Sequence, residues 1–319
     1  LCVFGISHFG LYYLYSSTRV CILYDENKNS VYLSDDYTDE NGHGTYCAQI
    51  ITSHCKHIEF IIIKILDQNN IGYSRALVEG LKYIIPFSVD IVNMSLAVLC
   101  DEYKKEIEVL CSRIRDNGAI INVSVLNHAS TSFPASLDST LGIRGAFNVD
   151  PYKIWYNAKN EIQCVSNLTP VLVSNIDCKK TFFGGNSKAT ALVSGLLAKA
   201  MYTMQIDGEN ALKSLVIKTD WCEDDIQKEF TVQNKEKVGV ELLALSEQVC
   251  DFLKFNKKQR ENILERTLFP PSIYIEKEQF ICLIEYLSAF YHKEVILGQF
   301  EISNLSTISS IYRYFKGEK

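Results

Sequence analysis

Three stretches of this 319-residue chain carry side chains whose type and setting suit nucleophilic chemistry. Phe182-Phe183-Gly184-Gly185-Asn186-Ser187 runs into a segment with apolar residues at 189, 192, 193, 196 and 197, the spacing of one helix face. The two glycines allow a tight turn. A serine at a helix N-terminus stands where free N–H groups and the helix dipole favour a developing oxyanion. The same pattern also suits an N-cap serine ahead of an ordinary buried helix. Asn41-Gly42-His43-Gly44-Thr45 places His43 between glycines at the mouth of a second apolar helix. Its flanking backbone carries no side-chain cover, which suits a ring approached closely by substrate. Residues 118–126 read as a strand that ends at Asn127, a side-chain amide able to donate to an oxyanion.

These residues need a frame to bring them together. Residues 59–66 form a continuous apolar run, 74–85 have helical periodicity, 89–96 are a second strand, and 101–116 are a helix with one charged face. Buried strands alternating with helices predict an α/β fold with a mostly parallel sheet covered on both faces. In such sheets the site lies at the carboxyl ends of the strands. Ahead of this, an apolar run at 1–4 precedes segments 19–25 and 30–34, a hairpin by the turn residues between them. The acidic run at 35–40 reads as a solvated loop and not a metal site. Residues 210–218 read as the continuation of a helix.

Composition narrows the partners. With 47% hydrophobic and 22% charged residues and a net charge of −6, the chain has no basic cluster for nucleic acid or an anionic membrane. No apolar run is long enough to span a bilayer. Eleven cysteines, an odd count without a C-x-x-C pair, include Cys21, Cys47 and Cys282 in apolar runs. They read as reduced core thiols of a cytoplasmic protein. No cofactor is implied.

In order, the motifs GHGTYCAQII, FIIIKILDQNNIGYSRALVEGLKYI, VDIVNMSLA, GAIINVSVLN and GGNSKATALVSGLLAKA resemble those of the subtilisin-like (subtilase, S8) serine peptidases over residues 1–220. The resemblance implies a three-layer subtilisin-like domain that hydrolyses peptide bonds. It makes His43 the general base, Ser187 the nucleophile and Asn127 the oxyanion donor. Ser95, Leu96 and Ala97 would then bind an extended peptide or protein substrate, with Ser124, Val125 and Leu126 across the pocket. The serine motif departs from the common form at Lys188, Thr190, Ala191 and Leu192, and no calcium loop is matched. The family's third triad member, an aspartate ending the first strand, falls on Gly5 when residues 1–4 are taken as that strand. The rival is Asp25, at the end of the apolar stretch 20–24. The expectation is an intracellular peptide-processing endopeptidase; the alternative is an impaired pseudoprotease that binds peptides as a scaffold.

Residues 221–238 read as a polar linker to a helical domain at 239–319. Three helices follow from apolar spacing at 242, 245, 249, 252 and 253; at 280, 283, 284, 287 and 291; and at 308, 311, 312 and 315. This part resembles an acyl or peptidyl carrier domain. Glu276-Lys277-Glu278 stands where that family carries its phosphopantetheine serine, so carrier chemistry is not expected. A partner-docking module or a simple cap on the peptidase are the two expectations.

Overall fold

The computed structural model describes residues 2–6, 18–25, 30–34, 38–175, 177–226, 239–261, 263–269 and 275–316. In chain order these form β1 (Cys2–Ile6), β2 (Thr18–Asp25), β3 (Ser30–Ser34), α1 (His43–His54), β4 (Glu59–Lys64), α2 (Ser74–Ile84) and β5 (Ile91–Met94). Then come α3 (Lys104–Asp116), β6 (Ile120–Ser124), β7 (Leu141–Ala146), β8 (Ile154–Tyr156), β9 (Cys164–Asn167), β10 (Val171–Ser174) and β11 (Lys180–Phe183). After α4 (Gly185–Met204), α5 (Gly208–Leu215) and β12 (Val216–Lys218), the C-terminal part holds α6 (Val240–Phe252), α7 (Lys257–Arg260), α8 (Lys277–Tyr291) and α9 (Ile308–Lys316).

Among the described residues the main sheet runs β12-β8-β9-β7-β6-β5-β1-β4-β2-β3. It is parallel except where β2 meets β3 and β8 meets β9. Strand β4 shows why the apolar runs are continuous. Phe60 and Ile62 enter the core under α1 and α4, whereas Ile61 and Ile63 enter the core under α2 and α3. Both faces are covered, so alternate residues serve two cores and neither set can be polar. The result is the three-layer α/β architecture that the sequence predicts.

Several boundaries differ from expectation. Strands β5 and β6 stop at Met94 and Ser124, short of 96 and 126. The helix expected over 210–218 ends at Leu215, and Val216–Lys218 instead pairs parallel with β8. Its β-branched Val216 and Ile217 fit that extended backbone. Cys282 is exposed, while Cys21 and Cys47 are buried. Helices α6, α8 and α9 gather around Leu245, Val249, Leu283, Leu287 and Ile311. That cluster includes Leu172 of β10 and packs on Phe182 of β11, so the C-terminal helices sit directly on the ribbon that leads to Ser187.

Candidate active site

Helix α1 begins at His43. Its N-cap, Gly42, has φ 87°, and a Cβ there would come within 2.8 Å of the Tyr46 hydroxyl oxygen. Asp39 satisfies the start of the helix. Its Oδ1 accepts from the Gly42 N–H at 2.7 Å, and its Oδ2 accepts from the Thr45 N–H at 2.8 Å and the Thr45 hydroxyl at 2.6 Å. Asp39 is 2% exposed. Burial pushes its carboxyl pKa up, against the pull of those hydrogen bonds. The acidic run is therefore not a wholly solvated loop: Asp39 is a buried cap that seats His43, while 35–37 lie outside the described residues. An acid three residues before the glycine that opens an apolar helix was the available signal.

The His43 ring is half-buried and stands edge-on to Phe183, with centroids 5.3 Å apart. Among the described residues its Nδ1 is buried without a hydrogen-bond partner. Burial pulls its pKa down to about 4, so the imidazole is neutral at pH 7 and available as a base. Because the folded pKa lies below the unfolded one, the stability tied to this group is lost as pH falls through about 4.

Ser187 is the third residue of α4, not its N-cap. Gly185 takes φ 80°, and its N–H donates to Leu168 O at 3.4 Å. The Asn186 side chain ties the helix start to the sheet, donating to Val125 O at 2.9 Å and accepting from the Gly145 N–H at 2.8 Å. Beneath the serine runs a buried polar chain. Ser95 Oγ donates to Ser187 O at 3.4 Å and accepts from Asn93 Nδ2 at 3.2 Å. Ser194 Oγ donates to Asn93 Oδ1 at 2.9 Å and accepts from Asn122 Nδ2 at 2.8 Å. This chain holds β5, β6 and α4 in one register, an arrangement expected to fix the nucleophile's backbone.

Asn127 follows β6. Its Oδ1 accepts the Asn186 N–H at 3.1 Å. The amide nitrogen is thus left to donate beside the first turn of α4, whose N–H groups have no acceptor within the helix. The set resembles a two-donor oxyanion site. Asn127→Ala is expected to lower kcat by about 10² to 10³ with little change in KM, because the bond strengthens as the carbonyl oxygen becomes negative. Steady-state kinetics that show a raised KM and an unchanged kcat reject that role.

Two openings lie near the start of α4, one lined by Ser95, whose hydroxyl bonds Ser187 O, and one by Gly185 and Asn186. A cleft of about 440 Å³ is lined by His43, Ile71, Tyr73, Leu99, Leu126 and the run Ser95, Leu96 and Ala97. A cavity of about 1130 Å³ lies against Asn127, Gly185, Asn186 and the Arg144–Glu223 ion pair. Ser124 and Val125 do not reach the cleft. Both are buried, and the Val125 N–H and carbonyl are already bonded to Ile143 O and Asn186 Nδ2. Leu126, 43% exposed, is the part of that stretch on the rim. Among the described residues, no hydrogen bond joins His43 directly to Ser187, and no cluster of His, Cys, Asp or Glu could hold a metal ion.

Gly5 lies in β1 between Ile62 of β4 and Asn93 of β5, two residues before Ser95. Asp25 is paired with Ser30 at the outer end of β2, and β4 separates that strand from β1.

The chain is 27% identical over 182 residues to an intracellular serine protease of Paenibacillus polymyxa, covering 51% of this chain and 54% of that one. It is 25% identical over 181 residues to the major intracellular serine protease of Bacillus subtilis (strain 168), covering 51% and 56%. It is also 23% identical over 184 residues to the minor extracellular protease Epr of the same organism, covering 53% and 28%. The chain thus spans about half of the two intracellular relatives and less of the third. The fold matches the prenylagaramide maturation protease PagA with a TM-score of 0.55 at 17% identity, over 72% of this chain and 87% of that one. No helix among the described residues is long and apolar enough to cross a membrane. The model of the subtilase family matches residues 4–241, and the chain belongs to that family of serine peptidases.

Proposed function

We propose that the chain is an endopeptidase that cuts peptide bonds through an acyl-enzyme on Ser187. The observation that carries this reading is Asn127 bonded to the first turn of the Ser187 helix, with His43 on the adjoining cleft. His43 takes the Ser187 hydroxyl proton as Oγ attacks the carbonyl, then returns it to the leaving amine. The Asn127 amide and the Ser187 N–H receive the oxyanion. Water then repeats the sequence and frees the acyl fragment. The peptide segment before the cut would lie along Ser95, Leu96 and Ala97, and the segment after it would enter the cavity beyond Asn127. Similarity to two intracellular serine proteases and the buried reduced thiols support a cytoplasmic processing role. Maturation of a small peptide product fits that role; PagA, which shares the fold, is named a prenylagaramide maturation protease.

The unpartnered Nδ1 of His43 favours a second reading, a pseudoprotease that holds peptides without cutting them. A fluorophosphonate probe separates the two, since only an activated serine reacts. Covalent labelling of the full chain, mapped to Ser187 and lost in Ser187→Ala, is the result expected of the peptidase. Intact peptide binding without labelling is the result expected of the scaffold.

A further inference from the structure

The ribbon of β10 and β11 stands between α1 and the C-terminal helices, and its side chains alternate between the two. Val171 and Val173 of β10 enter the core shared by α1 and α4, while Leu172 between them enters the core of α6, α8 and α9. On β11, Phe182 packs on that C-terminal core and Phe183 on the core of α1 and α4. With a side-chain period of two, both faces of such a strand are apolar and both need cover. A two-stranded ribbon is marginal alone, whereas three strands with apolar faces are stable.

The C-terminal part supplies the third strand. Leu172 N–H donates to Phe300 O, Gly298 N–H to Leu172 O and Ile302 N–H to Pro170 O, each at 2.8 Å. Val171 pairs with Glu301 on one side and with Phe183 on the other, so one row crosses all three strands. The added segment is also seated on α1. Gly298 has φ 83°, and a Cβ there would fall 2.9 Å from Gln49 O and from Ser53 Oγ. The Gln299 side-chain amide donates to Ser53 O. In turn, α1 grips the end of β10: Gln49 Nε2 donates to Ser174 O at 2.7 Å, and Gln49 Oε1 accepts the Ser174 N–H at 2.9 Å. Lys180 at the start of β11 pairs with Glu285 of α8 at 2.7 Å.

The row ends at His43. Phe183 stands edge-on to the imidazole with centroids 5.3 Å apart, and lies tilted against Tyr46 at 5.4 Å. An edge-to-face contact between packed rings restricts the plane of each. We propose that Phe183 is a positioning residue for the His43 imidazole, and that segment 298–302 of the C-terminal part holds Phe183 in place through β10. The C-terminal helices thus clamp the site from behind. The effect on activity rests on the reading of His43 as general base; the contact itself does not.

The test uses the full chain with Phe183→Ala, Gly298→Val and the two combined. Gly298→Val sets a branched side chain at positive φ against Gln49 O, so the segment must lift from α1. Position 298 is outside the lining of the cleft. The titration midpoint of the His43 ring is read by NMR well below the melting midpoint, beside the rate of fluorophosphonate labelling. Burial alone holds the His43 pKa at about 4. Phe183→Ala opens the ring to water and is expected to raise that midpoint by about one unit or more. Labelling is expected to slow by about tenfold, because a displaced base no longer meets the serine proton. Gly298→Val should move both quantities the same way, and the combined variant should go no further than Phe183→Ala alone. A His43 midpoint unchanged in Gly298→Val overturns the proposal, whatever happens to melting, since the contact is then merely structural. Shifts that simply add in the combined variant overturn it too. Should Gly298→Val fail to fold, Phe182→Leu, on the face of β11 turned to the C-terminal core, takes its place with the same expectations. If the parent chain takes up no label, the peptidase reading fails, yet the His43 titration still decides the positioning claim.

Discussion

Gly5→Asp is expected to raise the rate of peptide hydrolysis, by up to the factor of about 10⁴ that a triad carboxylate is worth. To accept the Ser187 proton on the nitrogen that faces the cleft, neutral His43 must carry its own hydrogen on Nδ1. That nitrogen is buried and has no acceptor among the described residues, so the tautomer needed for catalysis is disfavoured by an unmade hydrogen bond. The imidazolium formed during attack must also stay charged against the burial that holds its pKa at about 4. A carboxylate at the C-terminal half of β1, beside Asn93, would address both defects. The pH profile supplies a second readout. The acid limb of kcat/KM should lie near the His43 pKa of about 4 in the parent chain and move upward in Gly5→Asp. The opposite pattern is as clear. If Asp25→Asn abolishes activity while Gly5→Asp changes nothing, Asp25 serves His43 and the alignment of the first strand is wrong.

What the sequence could and could not announce follows from how local each cause is. His43 between two glycines and Ser187 after two more are legible because close approach of a substrate and a tight turn each demand particular residues at particular steps. The two-core sheet is legible from β4, whose run of isoleucines admits no solvated face. Asp39 was harder. It is one acid among several, and only the three-dimensional return of its carboxylate to Gly42 and Thr45 marks it out. Ser124 and Val125 fail as pocket residues for a similar reason. Which residue of a strand end reaches solvent depends on β7 and Asn186 packing against it, and neither is adjacent in sequence. Lys188 is the extreme case. A lysine in an apolar helix reads as a departure from a motif until Asn167 arrives from a distant part of the chain to accept from its buried ammonium.

The second large effect depends on background. Catalytic residues that act as a unit are not additive. In a subtilisin triad, losing the serine or the histidine costs about 2 × 10⁶ in kcat, as much as losing all three members, while losing the aspartate alone costs about 3 × 10⁴. If Gly5 is the vacant triad position, the chain has already forfeited most of what its histidine can contribute. His43→Ala in the parent chain is expected to lower kcat by only about 10², the part of the loss that remains. In the Gly5→Asp background the same substitution should cost about 10⁶, because the restored triad has the full amount to lose. Measured with one peptide substrate, the four chains form a double-mutant cycle, and the coupling between positions 5 and 43 is its product. A coupling of about 10⁴ identifies Gly5 as the vacant triad position. Equal losses in the two backgrounds would mean that a carboxylate at position 5 never reaches His43. The cycle also guards against a trivial result. A Gly5→Asp chain that merely folds poorly lowers all rates together and leaves the ratio attributable to His43 unchanged.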